Sequence, residues 1–176
     1  FRNLISKWTI MKKAILILSL FFIVNYALKS QNCENCRYLT EIFDSVEVIQ
    51  DVKFAEGENS EGNQQELFMD IYQPVGDTVG KRLVLLFAFG GAFLTGDKRE
   101  RYVQFACERY AKAGYVTAAM DYRIGIDFVG GIANPGNEAI RVFFRAMQDL
   151  RASVEYFYFS AQNGNSYSVD TNLIFL

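Results

Sequence analysis

The sequence predicts an α/β fold in which an antiparallel hairpin leads into a parallel sheet with crossover helices. Residues 83–89 (LVLLFAF) form an unbroken apolar run, the pattern of a strand buried on both faces. Beyond this run, predicted strands and helices alternate along the chain, as they do in parallel sheets. Apolar residues make up 51% of the 176 residues, enough for the core of one compact domain.

Changes in composition divide the chain into four segments. We interpret them as upstream translated sequence foreign to the protein (residues 1–10), a signal peptide (residues 11–30), a polar arm that contains cysteines (residues 31–42) and a partial α/β domain (residues 43–176). The net charge is −2 and no basic run follows Lys12-Lys13, so no nucleic-acid partner is expected.

The signal-peptide prediction rests on the order of charge and hydropathy. Lys12 and Lys13 form a positive start, residues 14–24 an apolar core and residues 27–30 an exit rich in small residues. This core is short for a membrane span, although an uncleaved anchor is the alternative. We therefore expect export to the periplasm or the medium, with no stable membrane span after cleavage.

Export makes disulfide bonds possible, and the chain has three cysteines. Cys33 and Cys36 lie in a polar arm and not where a strand meets a helix, which favours a small structural disulfide over a redox pair. A lipoprotein is disfavoured, because residues 28–30 (LKS) make a poor lipobox before Cys33. Cys107 falls on the apolar face of a predicted helix and is interpreted as a buried side chain, not a nucleophile. No metal site is expected, since the chain has no histidine and no second cysteine pair.

The folded domain begins with a predicted hairpin. Apolar residues alternate over residues 43–54 (FDSVEVIQDVKF) and again over residues 67–72 (LFMDIY), which is the period of strands. The polar stretch between them, residues 55–65, is predicted to be a long loop. Gln73-Pro74 ends the second strand.

A glycine pair follows the central strand. Gly90 and Gly91 permit a sharp turn that brings backbone N–H groups close to a small, electron-rich ligand. Ala92 keeps that approach open, and Phe93 gives the turn an apolar anchor. A plain strand-to-helix turn is the alternative.

Helices and further strands complete the pattern. The predicted spans are residues 102–113 for a first helix, 115–122 for a strand, 134–159 for a long helix and 173–176 for a last strand. Helical spacing predicts the buried faces, which are Val103, Ala106, Cys107 and Tyr110 on the first helix and Ile140, Phe143, Met147, Leu150, Val154 and Phe157 on the second. The loop between the strand and the long helix, residues 123–134, carries Phe128 and other apolar residues. It is expected to pack over a pocket. Because the last strand would lack its covering layers, we expect a fragment of a longer protein.

Six segments in this order resemble the α/β-hydrolase-fold serine esterases of the carboxylesterase and hormone-sensitive-lipase type. They are residues 69–74 (MDIYQP), 89–93 (FGGAF, followed by GDK at 96–98), 113–116 (AGYV), 121–125 (DYRIG), 146–152 (AMQDLRA) and 169–176 (VDTNLIFL). The second resembles the oxyanion turn H-G-G-G/A-F, except that Phe89 stands where many relatives have His. The resemblance implies the N-terminal half of an α/β-hydrolase fold, incomplete, ending before the nucleophile elbow.

The family's reaction is acyl transfer by a Ser-His-Asp/Glu triad whose serine follows the last strand. The chain contains no histidine and stops before that serine, so by itself it is expected to be inactive. What it keeps, by resemblance, is the oxyanion turn: Gly90 permits the turn, and the N–H groups of Gly91 and Ala92 point at the developing alkoxide.

The resemblance and the apolar loop also suggest roles for other side chains. Phe89, Phe93 and Phe128 are the candidate lining of the substrate pocket. Asp121 is expected to be structural and to pair with Arg123. Asp149 falls on the long helix and is also expected to be structural.

The leading hypothesis is an exported serine esterase that cleaves small-molecule or glycan carboxylic esters, without metal or organic cofactor. A hydrolase-fold protein that has lost its triad and binds partners is the first alternative. A thiol-redox protein using Cys33 and Cys36 is another, and peptidase activity occurs on the same fold.

Overall fold

A mixed sheet with helices packed beside it forms the frame of this computed structural model, which describes residues 36–125 and 135–176. Its elements in chain order are β1 (Val46–Glu58), β2 (Gln64–Pro74), β3 (Arg82–Ala88), α1 (Arg101–Lys112), β4 (Val116–Met120), α2 (Pro135–Gln162) and β5 (Val169–Phe175). The strand order is β1-β2-β4-β3-β5. β2 is antiparallel to β1 and β4, whereas β3 is parallel to β4 and β5. The predicted α/β class, with a hairpin leading into parallel strands, is confirmed.

The hairpin is longer than predicted. β1 and β2 stay paired through the polar stretch and leave only residues 59–63 as a turn. Asn59 closes this turn, because its side-chain oxygen accepts hydrogen bonds from two backbone N–H groups within it. The predicted long loop over residues 55–65 is therefore wrong. Strand pairing uses backbone groups, and an edge strand tolerates polar side chains on its exposed positions.

β3 and β4 form the centre of the sheet. β3 occupies the predicted apolar run, shifted by one residue, and every residue of β4 is buried. Val84 and Val116 pair across these two strands, and both are fully buried. Burying an apolar side chain of this size stabilises the fold by about 1.5–3 kcal/mol. The two strands stay paired to their ends at Ala88 and Met120, so the loops that follow them begin side by side.

α1 packs on the sheet through Val103, Cys107 and Ala111, each at most 2% exposed. The Thr117 hydroxyl of β4 donates to the Cys107 carbonyl oxygen at 2.9 Å, which ties the helix to the strand. The buried position predicted for Cys107 is confirmed. The buried position predicted for Tyr110 is wrong, since its side chain is 43% exposed. Residues four apart follow one line along a helix, so Ala111 takes the place that the apolar pattern had suggested for Tyr110.

The Cys107 thiol is expected to be unreactive in the folded protein. Burial raises its pKa to about 12, despite the opposing effect of the Thr117 hydroxyl, so almost no thiolate exists at pH 8.5. Iodoacetamide at this pH should leave Cys107 unmodified in the folded protein and alkylate it after unfolding in guanidinium chloride, as peptide mass spectrometry would show. Equal labelling in both states would contradict its burial.

The same pKa shift has a consequence for alkaline stability. An unfolded thiol ionises near pH 8.5, well below the folded one, whose pKa is about 12. Ionisation therefore favours the unfolded state, and the free energy of unfolding should fall as pH rises from about 8.5 towards 12. A Cys107→Ala variant should show a smaller alkaline loss than the unaltered protein in denaturant titrations.

α2 turns a different face to the sheet from the one predicted. Of the predicted apolar stripe, Phe157 is buried and Leu150 and Val154 are half-buried. The first members of the stripe are instead 48–64% exposed, namely Ile140, Phe143 and Met147. The stripe prediction is wrong over this first half of the helix.

The buried face of α2 contains polar residues that have partners. Asp149 is 2% exposed and binds Arg123, while Ser153 is fully buried and donates to the Leu150 carbonyl oxygen. Val142 completes this face. Because buried polar groups are stable when they are hydrogen-bonded, the helix faces the sheet with Asp149 and exposes part of its apolar stripe. Hydropathy alone could not indicate this rotation.

β5 begins at Val169, four residues before the predicted strand over 173–176. Its polar residues 170–172 belong to the strand, which pairs with β3. In the described part of the chain, no helix has both the length and the apolar character needed to cross a membrane. The predicted signal peptide, Cys33 and Phe128 lie outside the described residues.

Candidate active site

A strained turn follows β3 where the glycine turn was predicted. Gly91, Ala92 and Phe93 have φ angles of 136°, 52° and 62°, in the half of backbone space that favours glycine. Glycine is required at the first position, because a Cβ atom there would lie 1.9 Å from the carbonyl oxygen of Thr95. Ala92 and Phe93 lack the conformational freedom of glycine, and holding such a residue at a positive φ costs about 1–3 kcal/mol. Strain of this kind is typical of functional sites.

The backbone N–H groups of this turn differ in their partners. Gly90 donates its N–H to the Tyr102 hydroxyl, and Leu94 donates to the Gly91 carbonyl oxygen at 3.0 Å. Among the described residues, neither the Gly91 N–H nor the Ala92 N–H donates a hydrogen bond, and both residues are exposed. Adjacent unengaged N–H groups in a strained turn can bind a negatively charged oxygen.

The segment that follows β4, residues 121–125 (DYRIG), holds the turn in place. The Tyr122 hydroxyl donates to the Phe89 carbonyl oxygen at 2.9 Å, and the Gly125 N–H donates to the Phe93 carbonyl oxygen at 2.7 Å. The Phe89 and Tyr122 rings are stacked with centroids 4.4 Å apart. Burial and the neighbouring Tyr102 raise the pKa of Tyr122, so its hydroxyl keeps the proton that it donates. The turn is thus fixed at both ends.

Asp121 holds the chain beyond the turn by binding Lys98. Its carboxylate accepts the Lys98 backbone N–H at 2.8 Å and the ammonium at 3.1 Å. The predicted pairing of Asp121 with Arg123 is therefore wrong. Residues two positions apart, such as Asp121 and Arg123, share a face in a regular strand. They do not do so here, because β4 has already ended at Met120. Burial lowers the pKa of Lys98, but hydrogen bonds with Asp51 and Asp121 outweigh it and raise that pKa.

Arg123 instead binds Asp149 on α2. The guanidinium and carboxylate approach to 2.6 Å, and both side chains are at most 9% exposed. The Asp149 carboxylate also accepts the Arg123 backbone N–H at 2.7 Å. Arg123 further donates to the Glu58 carbonyl oxygen at the end of β1 and to the Gln148 side chain. One buried arginine therefore joins the hairpin, α2 and the segment that holds the turn. The ion pair with Arg123 agrees with the structural role predicted for Asp149.

Arg99 extends the charged cluster towards the hairpin. Its guanidinium lies 3.1 Å from the Asp70 carboxylate of β2 and 2.7 Å from the Asp51 carboxylate of β1. Asp51 also contacts the Lys98 ammonium at 3.0 Å. Hydrogen bonds from Lys98 and Arg99 lower the pKa of Asp51 below its ordinary value. The carboxylates of Asp51, Asp70 and Asp121 are thus engaged with cations. Within the described residues no group of His, Cys, Asp and Glu could hold a metal ion.

An apolar cavity of about 290 Å³ opens beside the turn. Its walls include the backbone of the turn and side chains from β3, β4 and α2, among them Phe89, Phe93, Met120, Phe143, Met147 and Leu150. Phe89 and Phe93 therefore lie where a substrate pocket was predicted, although Phe89 is also a buried anchor of the core. Their use in substrate binding stays a prediction.

Sequence reasoning missed Tyr102 and the partners of Lys98. Lys98 belongs to the GDK motif at residues 96–98, but its carboxylate partners come from three different strands or strand ends. Tyr102 lies on α1, and only the packing of that helix brings its hydroxyl to Gly90. No local pattern could have identified either contact.

A protein-family model described as BD-FAE matches residues 69–176. The match covers more than half of the chain and includes the strained turn, the segment that holds it, α2 and β5. No curated protein sequence matches this chain significantly.

Several solved structures with similar folds are esterases. Thermogutta terrifontis esterase 2 phosphorylated by paraoxon is 22% identical with a TM-score of 0.50, and the match covers 75% of this chain and 42% of that one. A hyperthermophilic esterase from the archaeon Pyrobaculum calidifontis is 19% identical with a TM-score of 0.45, over 76% and 34% of the two chains. A bacterial heroin esterase is 18% identical with a TM-score of 0.48, over 75% and 34%. This chain spans 34–42% of the length of these esterases. From the family match and the shared fold, the chain belongs to the esterase-like BD-FAE family and has an α/β-hydrolase architecture.

Proposed function

We propose that this chain is the part of an exported serine esterase that carries the oxyanion-binding turn. The observation that carries the proposal is the pair of unengaged N–H groups at Gly91 and Ala92, in a turn whose strained backbone is held from both ends. Membership of an esterase-like family supports ester hydrolysis as the reaction.

In the proposed reaction these two N–H groups act on the ester carbonyl. As a nucleophile attacks, the carbonyl oxygen becomes an alkoxide, and both N–H groups donate to it. Because the turn is already held, little reorganisation is needed at that moment. A donor of this kind is worth about 100- to 1,000-fold in kcat. Gly91 and Ala92 serve through their backbone, so their side chains need only be small.

The remaining catalytic groups come from elsewhere in the whole protein. The chain contains no histidine, so the base of a Ser-His-acid triad is supplied from outside these 176 residues. Asp121 and Asp149 do not serve as the triad acid, because their carboxylates bind Lys98 and Arg123. The 176-residue chain alone is accordingly expected to have no esterase activity.

The substrates proposed are small-molecule or glycan esters with an apolar group next to the reacting carbonyl. The cavity beside the turn has apolar walls from Phe93, Met147 and Leu150, and a volume of about 290 Å³ suits a small acyl or alcohol group. No cofactor enters the proposed reaction, since acyl transfer needs only a nucleophile, a base and oxyanion donors.

The test is hydrolysis of a p-nitrophenyl ester series by the whole protein, with and without paraoxon. Paraoxon is chosen because Thermogutta terrifontis esterase 2 is phosphorylated by it. Hydrolysis that paraoxon abolishes, with phosphorylation found on one serine, supports the proposal. A well-folded whole protein that turns over no ester and takes up no phosphoryl group would refute it and leave a binding protein as the alternative.

Export is part of the proposal and has its own test. The order of charge and hydropathy over residues 11–30 supports a cleaved signal peptide. Expressed from Met11 in a bacterium, the protein should appear outside the cytoplasm with an N-terminus near residue 31. Retention of residues 11–30 on a membrane-bound product would favour an anchor instead.

A further inference from the structure

Tyr102 is an exposed tyrosine whose hydroxyl lies on the strained turn. It lies in the first turn of α1, two residues after the N-cap Glu100, and its side chain is 56% exposed. Its hydroxyl accepts the hydrogen bond of the Gly90 N–H. A Cβ atom built on Gly90 would lie 3.4 Å from this hydroxyl oxygen, so the tyrosine also covers one side of Gly90.

This contact differs in kind from the others that hold the turn. Tyr122 and Gly125 bind carbonyl oxygens, those of Phe89 and Phe93. Tyr102 binds the N–H that directly precedes those of Gly91 and Ala92. The Phe89 carbonyl and the Gly90 N–H belong to one peptide unit, so the hydroxyls of Tyr122 and Tyr102 hold this unit from its two sides. A rotation of this unit would redirect the N–H groups that follow.

The Gly90 N–H does not need Tyr102 in order to be hydrogen-bonded, because Gly90 is exposed. An exposed backbone N–H can bind water, so the fold does not depend on a tyrosine at this place. The ring is carried by a helix that is packed on the sheet through Val103 and Cys107, so the hydroxyl is delivered from a fixed position. A rigid partner orients a peptide unit in a way that mobile water does not.

We propose that Tyr102 is a positioning residue of the oxyanion turn, whose hydroxyl fixes the Gly90 amide so that the Gly91 and Ala92 N–H groups stay directed at the ester oxygen. This inference rests on the proposed function of the turn. It assigns to Tyr102 an effect on the transition state and none on ground-state binding.

The test compares Tyr102→Phe with Tyr110→Phe in the whole protein. Both tyrosines lie on α1 and are partly exposed, and each variant keeps the ring and removes only the hydroxyl. For Tyr102→Phe we expect kcat on a p-nitrophenyl ester to fall about 10-fold with KM within twofold, a part of the loss known for a deleted oxyanion donor. The rate of inactivation by paraoxon should fall similarly. Tyr110→Phe should change neither.

Titration with paraoxon separates this role from a structural one, because its end point counts active enzyme. A slower Tyr102→Phe enzyme with an unchanged end point supports the inference. A fall in activity matched by a fall in the end point shows lost folded enzyme and overturns it. Equal kinetics for the two variants overturn it while leaving the proposed function intact. An unaltered whole protein without esterase activity refutes the proposed function, and the inference with it.

Discussion

Replacing Gly91 with alanine should lower kcat for ester hydrolysis by about 100- to 1,000-fold in the whole protein, the loss expected when an oxyanion donor is removed. The new Cβ atom would lie 1.9 Å from the Thr95 carbonyl oxygen, and the backbone φ of 136° is unfavourable for alanine. The turn must open to relieve both, which displaces the adjacent N–H groups. Steady-state kinetics together with paraoxon titration would measure the effect on correctly folded enzyme.

Gly76→Ala is the matched control for this variant. Gly76 also has a positive φ, of 79°, but a Cβ atom there would have no neighbour within 4 Å. The Gly76→Ala variant should lower the free energy of unfolding by about 1–2 kcal/mol and leave kcat unchanged. If Gly91→Ala retained kcat within threefold of the unaltered protein, the turn would not be the source of the oxyanion donors.

Replacing Asp149 with alanine should lower the free energy of unfolding by about 3–5 kcal/mol. The Arg123 guanidinium is 9% exposed and would be left as an unpaired buried charge. Removing the Asp149 carboxylate also leaves the Arg123 backbone N–H without its acceptor. Denaturant titration monitored by circular dichroism would measure the change.

Glu155→Ala supplies the comparison on the same helix. Glu155 binds Arg151 at 2.8 Å, but their side chains are 62% and 81% exposed. Removing an exposed partner should change the free energy of unfolding by less than about 1 kcal/mol. Replacing both buried partners, Arg123→Met with Asp149→Leu, should recover much of the loss, since no unpaired charge then remains. Similar losses for Asp149→Ala and Glu155→Ala would show that the buried pair is not a main support of the fold.

Much of the fold followed from local patterns. The apolar run of β3 and the glycine pair after it were visible in the sequence, because a strand covered on both faces needs apolar side chains throughout and a sharp turn needs glycine. The hairpin loop was misjudged, because polar side chains do not prevent backbone pairing at the edge of a sheet. The six motifs also identified the family type, which the BD-FAE match supports.

Contacts between distant residues could not be read in this way. The sequence pattern predicts that Asp121 pairs with Arg123, two positions along. Its partner Lys98 is instead 23 positions away, and the partner of Arg123 is 26 positions away. The rotation of α2 depends on that second pair, because a buried carboxylate must face its arginine even where this exposes apolar side chains such as Phe143.

The sequence by itself determined the strand pattern, the class of fold and the place of the candidate oxyanion turn, since each depends on residue types within a few positions of one another. The tertiary structure alone decided how that turn is held and which N–H groups it leaves unengaged. Those properties depend on hydroxyl, carboxylate and guanidinium groups brought together from separate elements, such as Tyr102 against Gly90 and Asp121 against Lys98. Hydrogen bonds act over about 3 Å, so only the packed chain can set which groups meet.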